Sequence, residues 1–552
     1  MKKHLILLTT GILFLLNTAI ALPEEGMYPL SEIKKLDLKK AGLKIPQADV
    51  YNPNGLSLID ALVNVGGCTG SFVSNQGLII TNHHCAFEAV SLASTPEHDY
   101  LKNGFVAATK EQEVQAKNLT CKITDSYEDV SNTVLTAVKN IFDPTERINA
   151  INAKIAQIIK EEEQKDKTIK AEVSEMFIGR TYVLFRYKTI KDVRIVYVPQ
   201  RAVGEFGGES DNWVWPRHTG DFSFLRAYVA KDGSSAAYSK DNVPYQPKKY
   251  LTINPNGANE GDFVFILGYP GRTYRNYPAK YIQYQEQYQL PYISDLYAWQ
   301  NKQMEATSIT KELELKQVAK IKRKANVLKN YRGKLKGLKG IDLVNQKFAQ
   351  EKELQAFINA DTSLIKQYGK MLQNIDMVYD EFFADAKKFL VLDQVFTSAT
   401  AFSVANQVLG LQKKIAETKL ENQDKVYQES KVTILKNAKD AYSTYVLATD
   451  KLLLKRILLD GLNLSAKEQF NFIKGMPTAK GTNWDELLSK HLDRIFSKSE
   501  FTEADEIDEI FNLSVKDFLK FKDPMIDLAI NARVEIDQMN TIRKDRTGRL
   551  NK

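Results

Sequence analysis

The sequence predicts an α+β protein of several domains, in which a β-rich part is followed by a large all-α part. Its 552 residues exceed what one hydrophobic core organises, so about two to four domains are expected. Composition changes near Pro278: Gly, Tyr, Phe and Val are frequent before it, and Leu-, Lys-, Glu- and Ala-rich runs with few Pro or Gly follow it. We therefore divide the mature chain into residues 22–278 and 279–545, with a basic tail at 546–552.

Residues 1–21 have the three parts of a secretory signal peptide. Residues 1–4 are basic, residues 5–16 are mainly apolar, and Ala19-Ile20-Ala21 has the small-x-small pattern of a cleavage site. An uncleaved membrane anchor is the alternative, but the apolar stretch is short for a bilayer span. We expect a periplasmic or secreted protein without a membrane segment after cleavage.

The charge of the chain is mildly basic. Lys and Arg exceed Asp and Glu to give a net charge of +8, and charges of both signs are interspersed along the sequence. This pattern is typical of a solvated surface, so we expect no nucleic-acid partner.

Short runs of β-branched and aromatic residues, separated by turn residues, predict the strands of a β-barrel or sandwich in the first part. These predicted strands are Gly70–Val73, Leu78–Thr81, Arg180–Tyr187, Val193–Val198, Phe222–Val229 and Asp262–Leu267. The segment from Glu128 to about Phe177 has a charge-rich helical periodicity and interrupts them.

Helical spacing of apolar residues dominates the second part. The predicted helices are Lys311–Tyr331, Leu343–Met371, Asp380–Leu390, Ala405–Ala416, Val426–Lys455, Ala466–Lys474, Asp485–Phe496 and Glu503–Phe521. No clear internal repeat is visible, so this part is predicted to be one helical domain.

The first two predicted strands form a β-hairpin flanked by Cys68 and Cys85. In an oxidising compartment these two cysteines are the natural disulfide pair, and closing a loop of this size stabilises a fold by about 3 kcal/mol. Cys121 is left without an assigned partner. His84 directly precedes Cys85 at the strand end, from where an imidazole can reach a cleft.

A metal site made of His83, His84 and Cys85 is the alternative interpretation of this cluster. Adjacent ligands do not match zinc spacings, and the sequence has no second C-x-x-C or H-x-x-x-H motif. We therefore expect no metal and no other cofactor.

A carboxylate that orients a histidine turns it into a general base, and residues 206–224 supply a candidate. This segment holds two of the four tryptophans, together with Arg217 and His218. Asp221 lies where a predicted strand begins and can be aimed by it, whereas its rival Asp211 lies in the irregular part. A polar and aromatic loop of this kind favours a cleft lining, with a structural aromatic plug as the alternative.

These motifs resemble a known family. The pattern of Cys68-Thr69-Gly70-Ser71 followed by Thr81-Asn82-His83-His84-Cys85 resembles the chymotrypsin-like serine peptidases. With Asp211–Ser223 and Leu267-Gly268-Tyr269-Pro270-Gly271-Arg272-Thr273, it resembles the bacterial dipeptidyl-peptidase 7 and 11 family of serine exopeptidases. The resemblance covers the mature chain and implies a double β-barrel with an inserted helical domain, so residues 22–278 are expected to form a chymotrypsin-like β-barrel portion.

The resemblance also implies roles for individual residues. His84 matches the general base, and Asp221 matches the carboxylate that holds the imidazole in the right tautomer. The positions that match a pocket for the free N-terminus of an oligopeptide substrate are Asn212, Trp213, Arg217 and, from the helical domain, Asn330. Closing one end of the cleft in this way makes an exopeptidase that releases dipeptides, and the resemblance suggests a homodimer.

One part of the family pattern is not found. The nucleophilic serine is expected in a Gly-Asn-Ser-Gly-type loop after the helical domain, and no such sequence occurs here. Ser71 is no substitute, because it matches the strand serine of the histidine hairpin. We expect a C-terminally incomplete, exported serine dipeptidyl-peptidase that lacks most of the second barrel and is inactive alone. The alternative is a non-catalytic peptide-binding protein derived from such a peptidase.

Overall fold

The computed structural model describes residues 27–52, 55–95, 97–177, 179–208, 213–271, 274, 276–474 and 483–551. The predicted signal peptide lies outside these residues. Within them the protein is α+β, with a large antiparallel sheet in the first part and a helical second part, which confirms the predicted class at this level.

Eleven strands of the described residues form one antiparallel sheet. Their bounds are β1 Leu62–Val65, β2 Cys68–Phe72, β3 Leu78–Thr81, β4 Phe105–Val106, β5 Val114–Gln115, β6 Cys121–Asp129, β7 Ile169–Phe177, β8 Thr181–Ile190, β9 Asp192–Val198, β10 Ser223–Val229 and β11 Val243–Pro244. The order is β4-β9-β10-β3-β2-β1-β6-β8-β7, with β11 on β10 and β5 on β9. No pairing of described strands joins the two ends of this order, so the predicted barrel is not confirmed.

Two of the sequence predictions in this part are wrong in detail. Residues 262–267 form no strand, because a strand needs a neighbour for its backbone hydrogen bonds and no described segment pairs with them. The predicted helical segment from Glu128 to Phe177 is helical only in its middle. Its last part is β7, whose residues alternate in burial while they pair with β8.

The helices of six or more residues in the first part are α1 His83–Ala93, α2 Ser131–Thr136 and α3 Pro144–Lys165. Asp143 caps α3 by accepting a hydrogen bond from the backbone N–H of Glu146 at 2.8 Å, and Pro144 occupies the first turn, where no amide donor is needed. Shorter helical turns are Leu30–Lys35, Leu38–Ala41, Gln47–Val50, Leu58–Ala61, Tyr100–Asn103, Lys110–Gln112 and Arg201–Gly204.

The second part is helical throughout its described residues. Its main helices are α4 Ala279–Tyr284, α5 Leu290–Thr307, α6 Lys311–Gly340, α7 Leu343–Asn359, α8 Thr362–Tyr368, α9 Met371–Val395, α10 Thr400–Ala416, α11 Gln423–Tyr442, α12 Leu447–Leu462, α13 Trp484–Phe496, α14 Ala504–Asn512 and α15 Pro524–Asn551. A π-helical turn, Gln285–Gln289, joins α4 to α5, and short turns occur at Leu420–Asn422, Asn471–Lys474, Glu500–Thr502 and Val515–Phe518. None of the described helices has both the length and the apolar character needed to cross a bilayer.

The C-terminal helix differs from the prediction. Residues 546–551, expected to be a tail, continue α15, and this helix returns to the first part of the molecule. Gly548 lies so close to α3 that a Cβ atom there would come within 2.6 Å of Pro144. Position 548 of α15 therefore needs a residue without a side chain, because a larger one would clash with Pro144.

Separate hydrophobic cores support the two parts of the molecule. Buried side chains of β2, β3 and β10 (Phe72, Ile79 and Leu225) pack with Ala86 and Val90 of α1. Fully burying a side chain of the size of Phe72 or Ile79 stabilises a fold by about 1.5–3 kcal/mol. This packing fixes α1 on the sheet and so fixes the residues at its N-terminus.

Candidate active site

The register of three strands brings two distant segments together. β3 lies between β2 and β10, with Ser71 opposite Ile80 and Thr81 opposite Ser223. β3 therefore ends where β10 begins. Residues 82–84 follow β3 and residues 220–222 precede β10, so the side chains of these two turns meet at one edge of the sheet.

His84 and Asp221 are in direct contact at this edge. The ring Nδ1 of His84 lies 2.8 Å from Oδ2 of Asp221, and the backbone N–H of His84 donates to Oδ1 at 3.0 Å. The amide of Asn82 donates to the backbone carbonyl of Asp221 at 3.1 Å. A carboxylate at Nδ1 favours the tautomer in which Nδ1 carries the proton and Nε2 is free to accept one.

The carboxyl group of Asp221 is ionised at neutral pH. Burial alone would raise its pKa, but the hydrogen bonds from the ring and the backbone of His84 lower it below its ordinary value. The side chain of Asp221 is only 20% exposed, whereas that of His84 is 68% exposed. The pair thus has a shielded carboxylate behind an imidazole that is open to solvent.

A disulfide holds this edge together. Cys68 at the start of β2 is bonded to Cys85 in the first turn of α1, with 6.2 Å between their Cα atoms. The predicted pairing is confirmed. Both sulfurs lie close to the ring of His84, but a disulfide sulfur is not a thiolate and does not bind a metal as one does. Cys121 is a free, buried thiol, and burial raises its pKa to about 12.

His83 has the opposite environment to that of its neighbour. Its ring is fully buried, lies edge-on to Phe87, and packs so closely on Gly204 that a Cβ atom there would come within 2.7 Å of the ring. Neither ring nitrogen has a hydrogen-bond partner among the described residues. Burial lowers the pKa of His83, although the nearby Glu205 opposes this effect, so the ring is neutral and structural.

The predicted pocket loop is described only from Trp213 onward. Asn212, and the rival carboxylate Asp211, lie outside the described residues. Trp213 is 59% exposed and has a positive φ of 60°, which is unfavourable for a bulky residue and is concentrated at functional sites. Arg217 is also exposed and donates from Nε to the hydroxyl of Thr219 at 2.9 Å.

The helical part reaches this loop through α6. The indole N–H of Trp213 donates to the side-chain oxygen of Asn326 at 2.9 Å. The predicted residue, Asn330, lies one helical turn further along the same face and is half-buried, and its role stays a prediction. Asn326 was missed, although its spacing of four residues from Asn330 is a signal that a helix face would present both.

A second contact joins α6 to the histidine helix. The ammonium group of Lys322 pairs with Glu205 and lies 4.6 Å from the centre of the Phe87 ring on α1. Burial would raise the pKa of Glu205, but hydrogen bonds from Lys322 and Arg201 lower it. Lys322 and Asn326 therefore place the same face of α6 over the candidate site.

The Leu267–Gly271 part of the family motif lies against the hairpin. The backbone N–H of Tyr269 donates to the hydroxyl of Thr69 at 2.8 Å, and the Tyr269 hydroxyl lies 3.0 Å from that of Thr124. A Cβ atom at Gly268 would come within 2.5 Å of Thr69, so only glycine fits there. Arg272 and Thr273 lie outside the described residues.

This arrangement can hold and move a proton at Nε2 of His84. Within the described part of the chain, no hydroxyl forms a hydrogen bond with Nε2, and the bond from the ring to Asp221 is made by the other nitrogen, Nδ1. The site therefore presents an exposed imidazole with a shielded carboxylate at Nδ1, which is an arrangement that general-base chemistry requires, next to an aromatic and cationic loop covered by a helix face.

Comparisons with known proteins agree with this geometry. The family described as Peptidase S46 matches residues 23–552. Dipeptidyl-peptidase 7 of Capnocytophaga gingivalis is 33% identical over 549 residues, which are 98% of this chain and 74% of that protein. An Asp/Glu-specific dipeptidyl-peptidase of the same organism is 32% identical over 544 residues, which are 96% of this chain and 73% of that protein.

A solved structure is similar as well. The crystal structure of Porphyromonas endodontalis DPP11 in complex with the dipeptide Arg-Glu superposes with a TM-score of 0.75 at 26% sequence identity. The match covers 96% of this chain and 76% of that one. The fold and the sequence motifs thus point to the same group of proteins.

Proposed function

The chain belongs to the peptidase S46 family, and from this premise we propose that it serves the release of dipeptides from the free N-terminus of oligopeptides. The similar proteins are dipeptidyl-peptidases by name. The single observation that carries the proposal within this chain is the His84–Asp221 contact at 2.8 Å, because an exposed imidazole backed by a shielded carboxylate is the base of a serine peptidase.

In this reaction His84 moves one proton twice. Its Nε2 takes the proton of a serine hydroxyl as the serine oxygen bonds to the peptide carbonyl carbon, and it gives that proton to the leaving amine when the peptide C–N bond breaks. A water molecule then repeats the sequence and frees the dipeptide from the acyl-enzyme. Throughout, Asp221 holds Nδ1–H and stabilises the imidazolium form.

We assign the general base and its carboxylate to residues of this chain. We do not assign the nucleophile to any of them. The sequence has no serine in a Gly-Asn-Ser-Gly setting, and no described hydroxyl is bonded to Nε2 of His84. Losing a nucleophile lowers kcat by about six orders of magnitude. We therefore expect these residues alone to give no measurable turnover.

The substrate N-terminus is assigned to the loop under α6. Trp213 offers an aromatic face, and Asn326, Asn330 and Asn212 offer amide oxygens, which are the groups that an ammonium ion prefers. The guanidinium group of Arg217 would repel an ammonium ion and suits a peptide carbonyl instead. This division of roles accounts for both the cationic and the amide members of the predicted pocket.

Export and dimer formation are further parts of the proposal. The pattern of residues 1–21 supports export to the periplasm or outside the cell. The Cys68–Cys85 disulfide agrees with an oxidising compartment. The homodimer rests on the family resemblance alone, and size-exclusion chromatography with light scattering tests it.

The assignment of Asp221 is tested by nuclear magnetic resonance of protein labelled with ¹⁵N-histidine. We expect a downfield Nδ1–H resonance from His84 that disappears in Asp221→Asn. Asp211→Asn, which changes the rival carboxylate, is the matched control and leaves the resonance in place. Loss of the signal in the Asp211 variant alone would move the orienting role to that residue.

A non-catalytic peptide-binding protein is the second candidate. One observation favours it: the indole N–H of Trp213 already forms a hydrogen bond with the side chain of Asn326, so part of the proposed amine pocket is assembled. Isothermal titration with a tripeptide tests this candidate, and its N-acetylated form is the control. Heat that is seen only with the free amine and is lost in Trp213→Ala would support binding, and no heat with either peptide would reject it.

A further inference from the structure

The helical part contains a cavity of about 320 Å³, lined by both polar and apolar side chains, that the proposed peptidase reaction does not use. It lies between α5, α6, α10 and α12, and three of its lining residues are cations on one face of α6: Lys320, Arg323 and Lys324. Asp450 of α12 is the one acidic residue in the lining. The lining therefore carries more positive than negative charge.

Asp450 is already committed to other partners. Its carboxyl oxygens accept hydrogen bonds from the backbone N–H groups of Thr400 and Ala401, at 2.5 and 2.9 Å, in the first turn of α10. Burial raises its pKa to about 6 despite these bonds. The charge of Lys320 interacts favourably with the carboxylate of Asp450. The ammonium group of Lys320 also donates a hydrogen bond to the carbonyl of Thr444 at 3.0 Å. Asp450 and Lys320 thus balance each other across the cavity wall.

The other two cations have no such balance. No carboxylate of the described residues forms an ion pair with Arg323 or Lys324, and the ammonium group of Lys324 lies 4.2 Å from the centre of the Tyr297 ring. Burial, together with the charges of Lys320 and Arg323, lowers the pKa of Lys324 to about 8. Enclosing the ammonium group of Lys324 without an anion is unfavourable, and an anionic ligand would remove that penalty, with the exposed Arg323 at the edge of the cavity as a second cation.

The remaining lining fits an organic body. Tyr297, Met304 and Leu453 are apolar or aromatic, and hydroxyl groups such as those of Thr397 and Ser398 lie among them. The volume is within the range of small-molecule sites, which combine apolar walls with a few polar groups that fix orientation. A bare inorganic ion would leave most of this space unfilled.

We propose that this cavity binds a small organic anion, whose carboxylate or phosphate head pairs with Lys324 and Arg323 and whose ring or short chain lies against Tyr297. The site is distinct from the candidate active site. Lys322 and Asn326, which contact Glu205 and Trp213, project from another face of α6. The inference stands whether or not the chain takes part in peptide hydrolysis.

Isothermal titration of the full chain near pH 7 tests the site with four probes: benzoate, phenyl phosphate, inorganic phosphate and neutral benzamide. We expect heat with benzoate or phenyl phosphate and none with benzamide. The two organic anions distinguish a carboxylate head from a phosphate head. No heat with either of them, or heat with inorganic phosphate alone, would overturn the proposal.

Three variants localise the binding. Lys324→Met and Arg323→Gln should each lower the affinity for the organic anion about tenfold or more, since a hydrogen bond to a charged group is lost. Lys316→Met is the matched control, because Lys316 lies on the same helix, outside the cavity lining, and pairs with Glu312. Because Arg323 is exposed, its variant keeps the test open if Lys324→Met fails to fold. Equal weakening by the control variant would refute the assignment.

The pH dependence gives a second readout. The charged and titratable groups around Lys324 are Lys320 and Arg323 on its own helix, Tyr297 on α5 and Asp450 on α12. Burial lowers the pKa of Lys324 to about 8 and also lowers that of Lys320, so affinity should fall as the pH rises from about 7 to about 9. Affinity that is constant over this range would contradict a role for Lys324.

Discussion

His84 and Asp221 lie where β3 and β10 meet and where a disulfide ties β2 to α1, whereas Trp213 and Arg217 lie on a loop whose side chains are mostly exposed. The first region is held by a covalent bond, by two hydrogen bonds from His84 to one shielded carboxylate and by a buried core. The second is held to the helical part by a hydrogen bond and lies near one ion pair.

This difference has a functional consequence. Groups that transfer a proton need fixed geometry, so changes among them should lower stability as well as alter chemistry. Groups that receive a substrate can lie on a loop where replacement changes stability little, and this leaves the loop free to determine binding. Four variants measure the contrast, from the largest expected effect on unfolding to the smallest.

Removing the disulfide should give the largest effect. The bond closes a loop with a sequence separation of 17 residues, and the chain-entropy estimate for such a loop is about 3 kcal/mol. We expect the double variant Cys68→Ser, Cys85→Ser to lose about that much free energy of unfolding in urea. Reduction by dithiothreitol should lower the urea midpoint of the wild type and leave that of the double variant unchanged. An unchanged urea midpoint would mean that the packing of α1 alone fixes this edge.

Asp221→Asn should give the next largest effect. The substitution removes the charge from a carboxylate that accepts bonds from the ring and the backbone of His84, and we expect a loss of about 1–2 kcal/mol at pH 7. Since the pKa of Asp221 is lowered on folding, its stabilisation is complete above the unfolded pKa of about 3.9 and disappears as the pH falls further. Urea unfolding at pH 7 and at several pH values below 4 measures this: the difference between wild type and variant should shrink as the pH falls through the lowered pKa. A difference that grows as the pH falls would contradict the lowered pKa.

Lys322→Met should have a smaller effect. Lys322 is 46% exposed, which screens its pair with the less exposed Glu205, and it also lies over Phe87. A loss of about 1 kcal/mol is expected from an exposed ion pair and a cation–π contact together. Lys316→Met, which breaks an exposed pair on the same helix, should change the melting temperature less. Equal shifts in the two variants would show that α6 is not anchored at this point.

Trp213→Phe should have the smallest effect on stability. It removes the indole N–H that bonds to Asn326 and keeps an aromatic ring at a position that is 59% exposed. We expect a change within about 0.5 kcal/mol, as for other surface positions. Trp215→Phe, at a position 90% exposed, is the matched control. A loss as large as that of Asp221→Asn would erase the contrast between the two regions.

The hairpin was predictable because short-range rules determine it. Turn residues at 74–77 separate two β-branched runs, and the flanking cysteines require proximity at the strand ends. Asp221 was identifiable because it lies at a strand start, where a rigid element aims a side chain. Its contact with His84 still depends on the pairing of β3 with β10, which the sequence motifs implied only through the family resemblance.

Other features depend on tertiary contacts that no local pattern encodes. The segment 262–267 has strand composition but no described neighbour, and β7 has charged residues but pairs with β8. The predicted helix Val426–Lys455 is broken at residues 443–446, and the predicted helix Leu343–Met371 is broken at 360–361 and again at 369–370. Of these three breaks, only the last contains a Gly or Pro, which is Gly369. Asn326 was missed because its partner Trp213 is more than a hundred residues away.

The division of the active site is tested most directly by incubating the purified 552-residue protein with fluorogenic dipeptidyl substrates that carry acidic or hydrophobic residues before the cleaved bond. Wild type and His84→Ala are compared with a protein-free control. We expect both proteins to be indistinguishable from that control, because no serine of this sequence has the Gly-Asn-Ser-Gly setting that we expect for the nucleophile. Turnover by the wild type that is lost in His84→Ala would contradict this division and show that a complete catalytic site already exists.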